Sequence, residues 1–160
     1  MISVTDSMTA VIERVSFDNI TISSTTQLIY VEDSTLTVES CEFKRIQGQI
    51  LETVGSSYSI SHSLVHSSRV ESTDRGLFSS FDADLRYSFI NTTFSNNEGT
   101  TLLLLSGMTL GTALLPSESD TYSNGKFVNL GDVTFLDNSV TNVIQMVEGS
   151  RAVIFNLLYA

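Results

Sequence analysis

Tyr87-Ser-Phe89-Ile-Asn91-Thr-Thr-Phe94-Ser-Asn-Asn97 is the stretch on which the reading of this sequence rests. Tyr87 and Phe89 are two positions apart, the period of a strand with one buried face, and Phe94 follows five residues later. Written as a template, the stretch is an apolar residue, a second two places on, a small or apolar residue at the sixth place and a large apolar residue at the eighth. Five other segments fit it: Ala10-Ile12-Val15-Phe17, Leu36-Val38-Cys41-Phe43, Tyr58-Ile60-Ser63-Val65, Val128-Leu130-Val133-Phe135 and Ala152-Ile154-Leu157-Tyr159. The starts at 10, 36, 58, 87, 128 and 152 are 26, 22, 29, 41 and 24 residues apart. A repeat of this length marks units that cannot bury their apolar face alone and have to stack on their neighbours.

Between successive segments lies a second apolar burst: Leu28 to Val31, Ile50-Leu51 with Val54, Leu77-Phe78 with Phe81, Leu102 to Leu105, and Val143-Ile144 with Met146-Val147. Turn-forming pairs close them, namely Asp33-Ser34, Gly55-Ser56, Asp82-Ala83, Ser106-Gly107 and Gly149-Ser150. Each period thus holds two or three short strands, and no sustained helical periodicity appears. The economical architecture is an all-β parallel solenoid of about six coils, stacked about 4.8 Å apart. Phe17, Phe43, Val65, Phe94, Phe135 and Tyr159 form one predicted ladder, and Ile12, Val38, Ile60, Phe89, Leu130 and Ile154 another. The 41-residue step has to contain an excursion, and the segment near 107–125, with the only proline, reads as one projecting loop. A β-sandwich is the rival, but its turns recur at about 8–12 residues and its strands need not hold one phase.

At 160 residues the chain has the length of one domain, and 41% apolar residues suffice for a core. Ser and Thr number 43, whereas charged residues make up 16% against a usual ~25%, which predicts a surface coated mainly with hydroxyl groups. A net charge of −10 and the lack of a basic patch exclude nucleic acid as the expected partner. The Leu102–Leu105 run is interrupted too soon for a membrane span, and Met1 to Met8 lack the features of a signal peptide. Cys41, alone in the chain, forms no internal disulfide and falls at an inward place of the template.

Thr93-Phe-Ser-Asn-Asn97 and Thr134-Phe-Leu-Asp-Asn138, each after an alternating strand, resemble the Phe-x-x-Asn repeat of right-handed parallel β-helix proteins of the pectate-lyase-like superfamily. The closer similarity is to repeats of polymorphic outer-membrane adhesins and of large protist surface proteins. Those repeats commonly pair Phe-x-x-Asn with Gly-Gly-Ala-Ile, of which Gly48-Gln-Ile50 and Arg75-Gly-Leu77 are at most eroded relics. The resemblance implies a right-handed β-helix and speaks less to activity, because one fold hosts many functions.

Several side-chain groupings have both a chemical and a plain reading. His62 and His66 have a metal-pair spacing only on a helix, so here they read as polar surface. Glu13 and Glu39 share a template place, as do Asp18, Lys44 and His66. Stacking brings the two glutamates to about 5 Å, yet two carboxylates are too few for Ca²⁺, and no metal or cofactor is expected. Paired carboxylates are what glycoside hydrolysis requires, but no dense acidic cluster stands out, and Asp18-Asn19, Asp82-Ala-Asp84 and Asp132 read as turns. No catalytic residue is assigned. Asn19-Ile-Thr21 and Asn91-Thr-Thr93 are N-glycosylation sequons, which makes Asn19 and Asn91 candidate sugar acceptors, although nine Asn among 43 Ser and Thr yield about two by chance. Asn97 and Asn138 share the last template place and are predicted to ladder their amides, with Ile20 and Ile46 there in the first two coils.

The expectation is a single β-helix segment over 1–160, cut from a longer surface or extracellular chain and acting as a non-enzymatic structural or adhesive rod. Its partners are the continuation of its own chain or a second copy stacked end to end into a filament, with other surface proteins or glycans as further candidates. The alternative is a polysaccharide-active or lectin-like fragment.

Overall fold

The computed structural model describes residues 1–72, 74–81, 86–106, 127–147, 152–155 and 158–159. Its elements are β1 (Ile2–Val4), β2 (Thr9–Glu13), β3 (Ser16–Asp18), β4 (Gln27–Glu32), β5 (Thr35–Glu39), β6 (Glu42–Lys44), β7 (Gln49–Val54), β8 (Ser57–Ser61), β9 (Leu64–His66), β10 (Arg69–Val70), β11 (Phe78–Phe81), β12 (Arg86–Ile90), β13 (Thr93–Ser95), β14 (Glu98–Ser106), β15 (Phe127–Gly131), β16 (Thr134–Leu136), β17 (Ser139–Val147), β18 (Ala152–Phe155) and β19 (Leu158–Tyr159). Among the described residues there is no helix, and hence none able to cross a membrane. The predicted excursion near 107–125 lies outside the described residues, as do the pairs Asp82-Ala83 and Gly149-Ser150.

The strands form three parallel sheets, and the chain visits them in rotation. The first sheet holds β1, β4, β7, β11, β14 and β17, with the short β10 beside β14; the second holds β2, β5, β8, β12, β15 and β18; the third holds β3, β6, β9, β13, β16 and β19. The register is the one the repeat predicts. Ile12, Val38, Ile60, Phe89, Leu130 and Ile154 are successive partners in the second sheet. Phe17, Phe43, Val65, Phe94, Phe135 and Tyr159 are partners in the third. The apolar bursts supply the first sheet, where Ile2, Ile29, Leu51, Phe78, Leu103 and Ile144 align. From second-sheet column to third-sheet column the chain always advances five residues, as from Ile12 to Phe17 or Phe89 to Phe94. From the first-sheet column to the second it advances 10, 9, 9, 11, 27 and 10.

Inward side chains of all three sheets meet in one hydrophobic cluster. Phe78, Phe89 and Phe94, one from each sheet, pack edge to face with ring centroids 5.6–5.8 Å apart. Along the third sheet Phe17 stacks on Phe43 and Phe94 on Phe135, both at 5.1 Å. Such ring pairs add about 0.5–1.5 kcal/mol to what their buried area contributes. The first coil has a neighbour on one side only, so Ala10, Ile12 and Phe17 are half-buried where Leu36, Val38 and Phe43 are fully buried.

Among the described residues, the bends from the second sheet to the third and from the third to the first are made by residues in the left-handed region. Arg14, Ser40, His62, Asn91 and Asp132 form one column with φ of 47–55°, and Asn19, Arg45, Ser67, Asn96 and Asp137 a second with φ of 50–55°. The bend keeps the backbone N–H in the parallel ladder: Arg14 donates to Glu39 O, Ser40 to Ser61 O, His62 to Ile90 O and Asn91 to Gly131 O. That ladder bond offsets the ~1–2 kcal/mol that an L residue costs in this conformation.

Not every hydroxyl group lies on the surface. Nine Ser and Thr side chains are buried among the described residues, several of them at the bends. Ser34, Ser63 and Ser68 accept from the backbone N–H of Met8, Cys41 and Ile46 in the preceding coil, and Ser56 accepts from Ser34 N–H. Ser56, Ser63 and Ser68 each donate to the carbonyl two residues earlier. A short hydroxyl at a bend thus satisfies one donor and one acceptor that the sheets leave over, which a buried backbone requires.

Candidate functional site

A groove lies at the bend between the third sheet and the first. Residues of the loop 20–26 on one side and 69–72 with Arg75 on the other flank Gln47, Gly48 and Gln49, lining a space of about 560 Å³. An adjoining hollow of about 500 Å³ shares Gln47 and Arg69 and reaches Asn19, Arg45 and Asn96. The loop folds back because Ser23 O accepts from Thr26 N–H while Ser23 Oγ accepts from Thr25 N–H. β10 and β11 are two separate stretches against the single long β14: Val70 pairs with Gly99, and Phe78 with Leu103. Gly99 is obligatory there, since its φ is 125° and a Cβ would lie 1.7 Å from Val70 O.

Three of the chain's arginines border these hollows, each held by an acid. Arg69 pairs with Glu71 at 2.6 Å and Glu98 at 3.9 Å. Arg75 donates to Gln49 Oε1 at 2.9 Å and pairs with Glu52 at 3.3 Å, and Arg45 pairs with Asp18. The buried Gln49 completes its bonding by donating to Leu51 O. The groove therefore offers amide, hydroxyl and guanidinium groups to a ligand rich in oxygen.

On the outer face of the third sheet Ser16 Oγ donates to Glu42 Oε2 at 2.9 Å, and Glu42 Oε1 meets His66 Nε2 at 3.0 Å. The hydrogen bond from His66, then that from Ser16, holds the Glu42 carboxyl below its ordinary value. His66 therefore has a defined partner, which its reading as plain polar surface missed. The contact is diagonal, since His66 is in register with Lys44 and Glu42 with Leu64. Elsewhere, burial pushes the Tyr58 hydroxyl far up, with Ser80 Oγ donating to it at 3.2 Å.

The remaining predicted positions fall as follows. Glu13 and Glu39 are direct partners in register, and Glu13 is engaged by Arg14 at 2.9 Å. Among the described residues no three His, Cys, Asp or Glu side chains group as metal ligands. His62 is exposed at a bend, four residues from His66 but not joined to it. Asn19 and Asn91 are both exposed at left-handed bends. Cys41 is buried, with its thiol toward Ile12 O and Glu39 O. The predicted amide ladder is present: Asn97 Nδ2 donates to Asn138 Oδ1 at 2.9 Å and to Val65 O at 3.0 Å, and Asn97 Oδ1 accepts from Ser68 N–H. Asn138 Nδ2 donates to Phe94 O one coil on.

No protein-family model matches this chain, and no curated protein is similar to it in sequence.

Proposed function

We propose that the three sheets are the sides of a right-handed parallel β-helix of the pectate-lyase-like kind, and that the chain is a structural or adhesive segment of a larger surface or extracellular protein. The observation that carries this reading is the unbroken register of all three sheets through six successive units. Right-handedness follows from the rule for crossovers between parallel strands. A molecule so built transmits load through continuous ladders and presents flat sides, which suits a rod better than a reaction centre. The Phe-x-x-Asn resemblance favours the extracellular side. Immunolabelling of intact, unpermeabilised source cells tests it: surface label is expected, and label that appears only after permeabilisation overturns it.

The groove beside Gln47, Arg69 and Arg75 favours a second reading, a lectin-like or polysaccharide-active fragment. Retention on an immobilised acidic polysaccharide, lost in Arg75→Gln, would support binding. Release of new sugar ends from the polymer would support an enzyme.

A further inference from the structure

The groove at the bend from the third sheet to the first is shaped for one chain of groups. Thr21, Gln47 and Arg69 are parallel neighbours in three successive coils, so its flanks belong to the first and third coils and its floor to the second. Two coil spacings put the flanks about 9.6 Å apart, close to the ~10 Å at which two sheets share a single layer of side chains. The floor between Gln47 and Gln49 carries no side chain: Gly48 has a φ of 119°, and a Cβ there would lie 3.0 Å from both Cβ and O of Ile22. Through Gln47 and Arg69 the groove continues into the adjoining hollow, which gives a ligand longer than one ring a path onward to Asn96.

Its charges nearly cancel, with acid in excess. Arg69 is held by Glu71 and Glu98, and Arg75 by Glu52, so two guanidinium groups meet three carboxyl groups. In the hollow Arg45 is matched by Asp18. On a chain of net charge −10 these arginines present no positive field to a polyanion. The groove is otherwise lined by hydroxyl and amide groups that donate and accept, namely the exposed Thr21, Ser24, Thr26 and Gln47 and the half-buried Ser72. Ile22 and Val70 add aliphatic contact beside them. Such a lining matches a sugar ring, whose edge carries hydroxyl groups and whose face carries C–H.

We infer that the groove binds a linear, uncharged glycan, its rings in single file along the coil from Arg75 past Gln47 toward Asn96. The inference rests on the lectin-like reading of this groove and narrows its ligand to the uncharged class. The arginines act as hydrogen-bond donors to sugar oxygens while their charge stays with Glu52, Glu71 and Glu98. Recognition therefore rests on neutral hydrogen bonds and aliphatic contact, and no new ion pair forms.

The test is calorimetric titration of the 160-residue chain with neutral polymers (xyloglucan, galactomannan, mixed-linkage β-glucan and dextran) and with two acidic ones, polygalacturonate and alginate. Saturable binding to at least one neutral polymer and to neither acidic one is expected, with an affinity that changes less than about twofold between about 50 and 500 mM salt, since salt has no ligand charge to screen. Gln47→Ala removes an exposed side chain where groove and hollow meet, and should weaken binding about fivefold to tenfold, the effect of one or two neutral hydrogen bonds. Glu71→Gln releases Arg69 from one acid, so an uncharged ligand should bind it within about twofold of wild type, whereas a polyanion should gain affinity. His62→Ala, exposed at the bend from the second sheet to the third, should bind as wild type. Binding to the acidic polymers only, affinity that collapses in salt, or Gln47→Ala equal to wild type each overturns the inference while the lectin-like reading of the chain stands. A folded chain that binds none of these polymers fails both.

Discussion

Replacing Asn97 with alanine removes three hydrogen bonds from a side chain with no solvent exposure. Ser68 N–H loses its acceptor, Val65 O loses the amide donor but keeps its place in the ladder with β13, and Asn138 Oδ1 keeps only the bond from Asn97 N–H. A buried group stranded without a partner costs about 1–3 kcal/mol, so the one stranded backbone N–H puts the loss at about 1–3 kcal/mol. Serine is the informative comparison, because Ser68 already occupies this column one coil earlier, accepting from Ile46 N–H and donating to His66 O. Asn97→Ser should accept from Ser68 N–H and donate to Ser95 O, stranding no backbone group, and so lose at most half as much. Asn97→Asp keeps the shape and one acceptor but turns a carboxylate toward Val65 O and Asn138 Oδ1, and should lose at least as much as alanine near neutral pH. The assay is urea unfolding followed by far-UV dichroism, as the chain has no tryptophan, with an unchanged slope required for comparison. Equal losses in Ala and Ser variants, both under about 1 kcal/mol, would refute the account of the bend as a chain of obligatory partners.

Further outcomes follow from other sites. Phe43→Ala and Phe94→Ala should each lose about 3–5 kcal/mol, whereas Thr37→Ala, on an outward position, should lose little. Comparable small losses at all three in chemical denaturation would contradict the register. At the left-handed bends, His62→Gly should gain about 0.5–1 kcal/mol and His62→Val should lose about 1–2 kcal/mol; no difference between them would contradict the positive φ. Because the Glu42 carboxyl lies below its ordinary value of 4.5, its stabilisation is complete above that value and disappears as pH falls through the lowered one. Glu42→Gln should therefore melt below wild type at neutral pH and converge with it in acid. A gap that persists in strong acid would place the effect elsewhere.

The inward columns were legible because each rests on a side-chain class that recurs at a fixed offset, as in Phe17, Phe43, Phe94 and Phe135. The Asn97–Asn138 ladder was legible for the same reason. The bends were not: Arg14, Ser40, His62, Asn91 and Asp132 share a conformation but no chemistry, since the stacked coil and not the residue type demands the positive φ. The template places Ser63 and Thr92 inward, but only the bend shows why a hydroxyl is tolerated there, since it makes each of them a partner for backbone groups. The groove arises where Gly99 lets β14 pass close to Val70, and the contact of Glu42 with His66 runs diagonally between strands. A one-dimensional period records neither.

The constant five-residue advance between the second and third sheets differs from the 9 to 27 residues spent between the first and second. One bend is intolerant of length and the other indifferent to it. An added residue between Ile12 and Phe17 would reverse the facing of everything after it, whereas the path from Leu103 to Leu130 carries 17 residues more than that from Ile144 to Ile154 while both column pairs stay in register. Growth of such a chain by insertion is thereby channelled to one flank, where each coil can acquire a variable display segment while its neighbours keep their alignment. For a repeat of this kind, that flank is where sequence can diversify, and where a foreign epitope is best grafted.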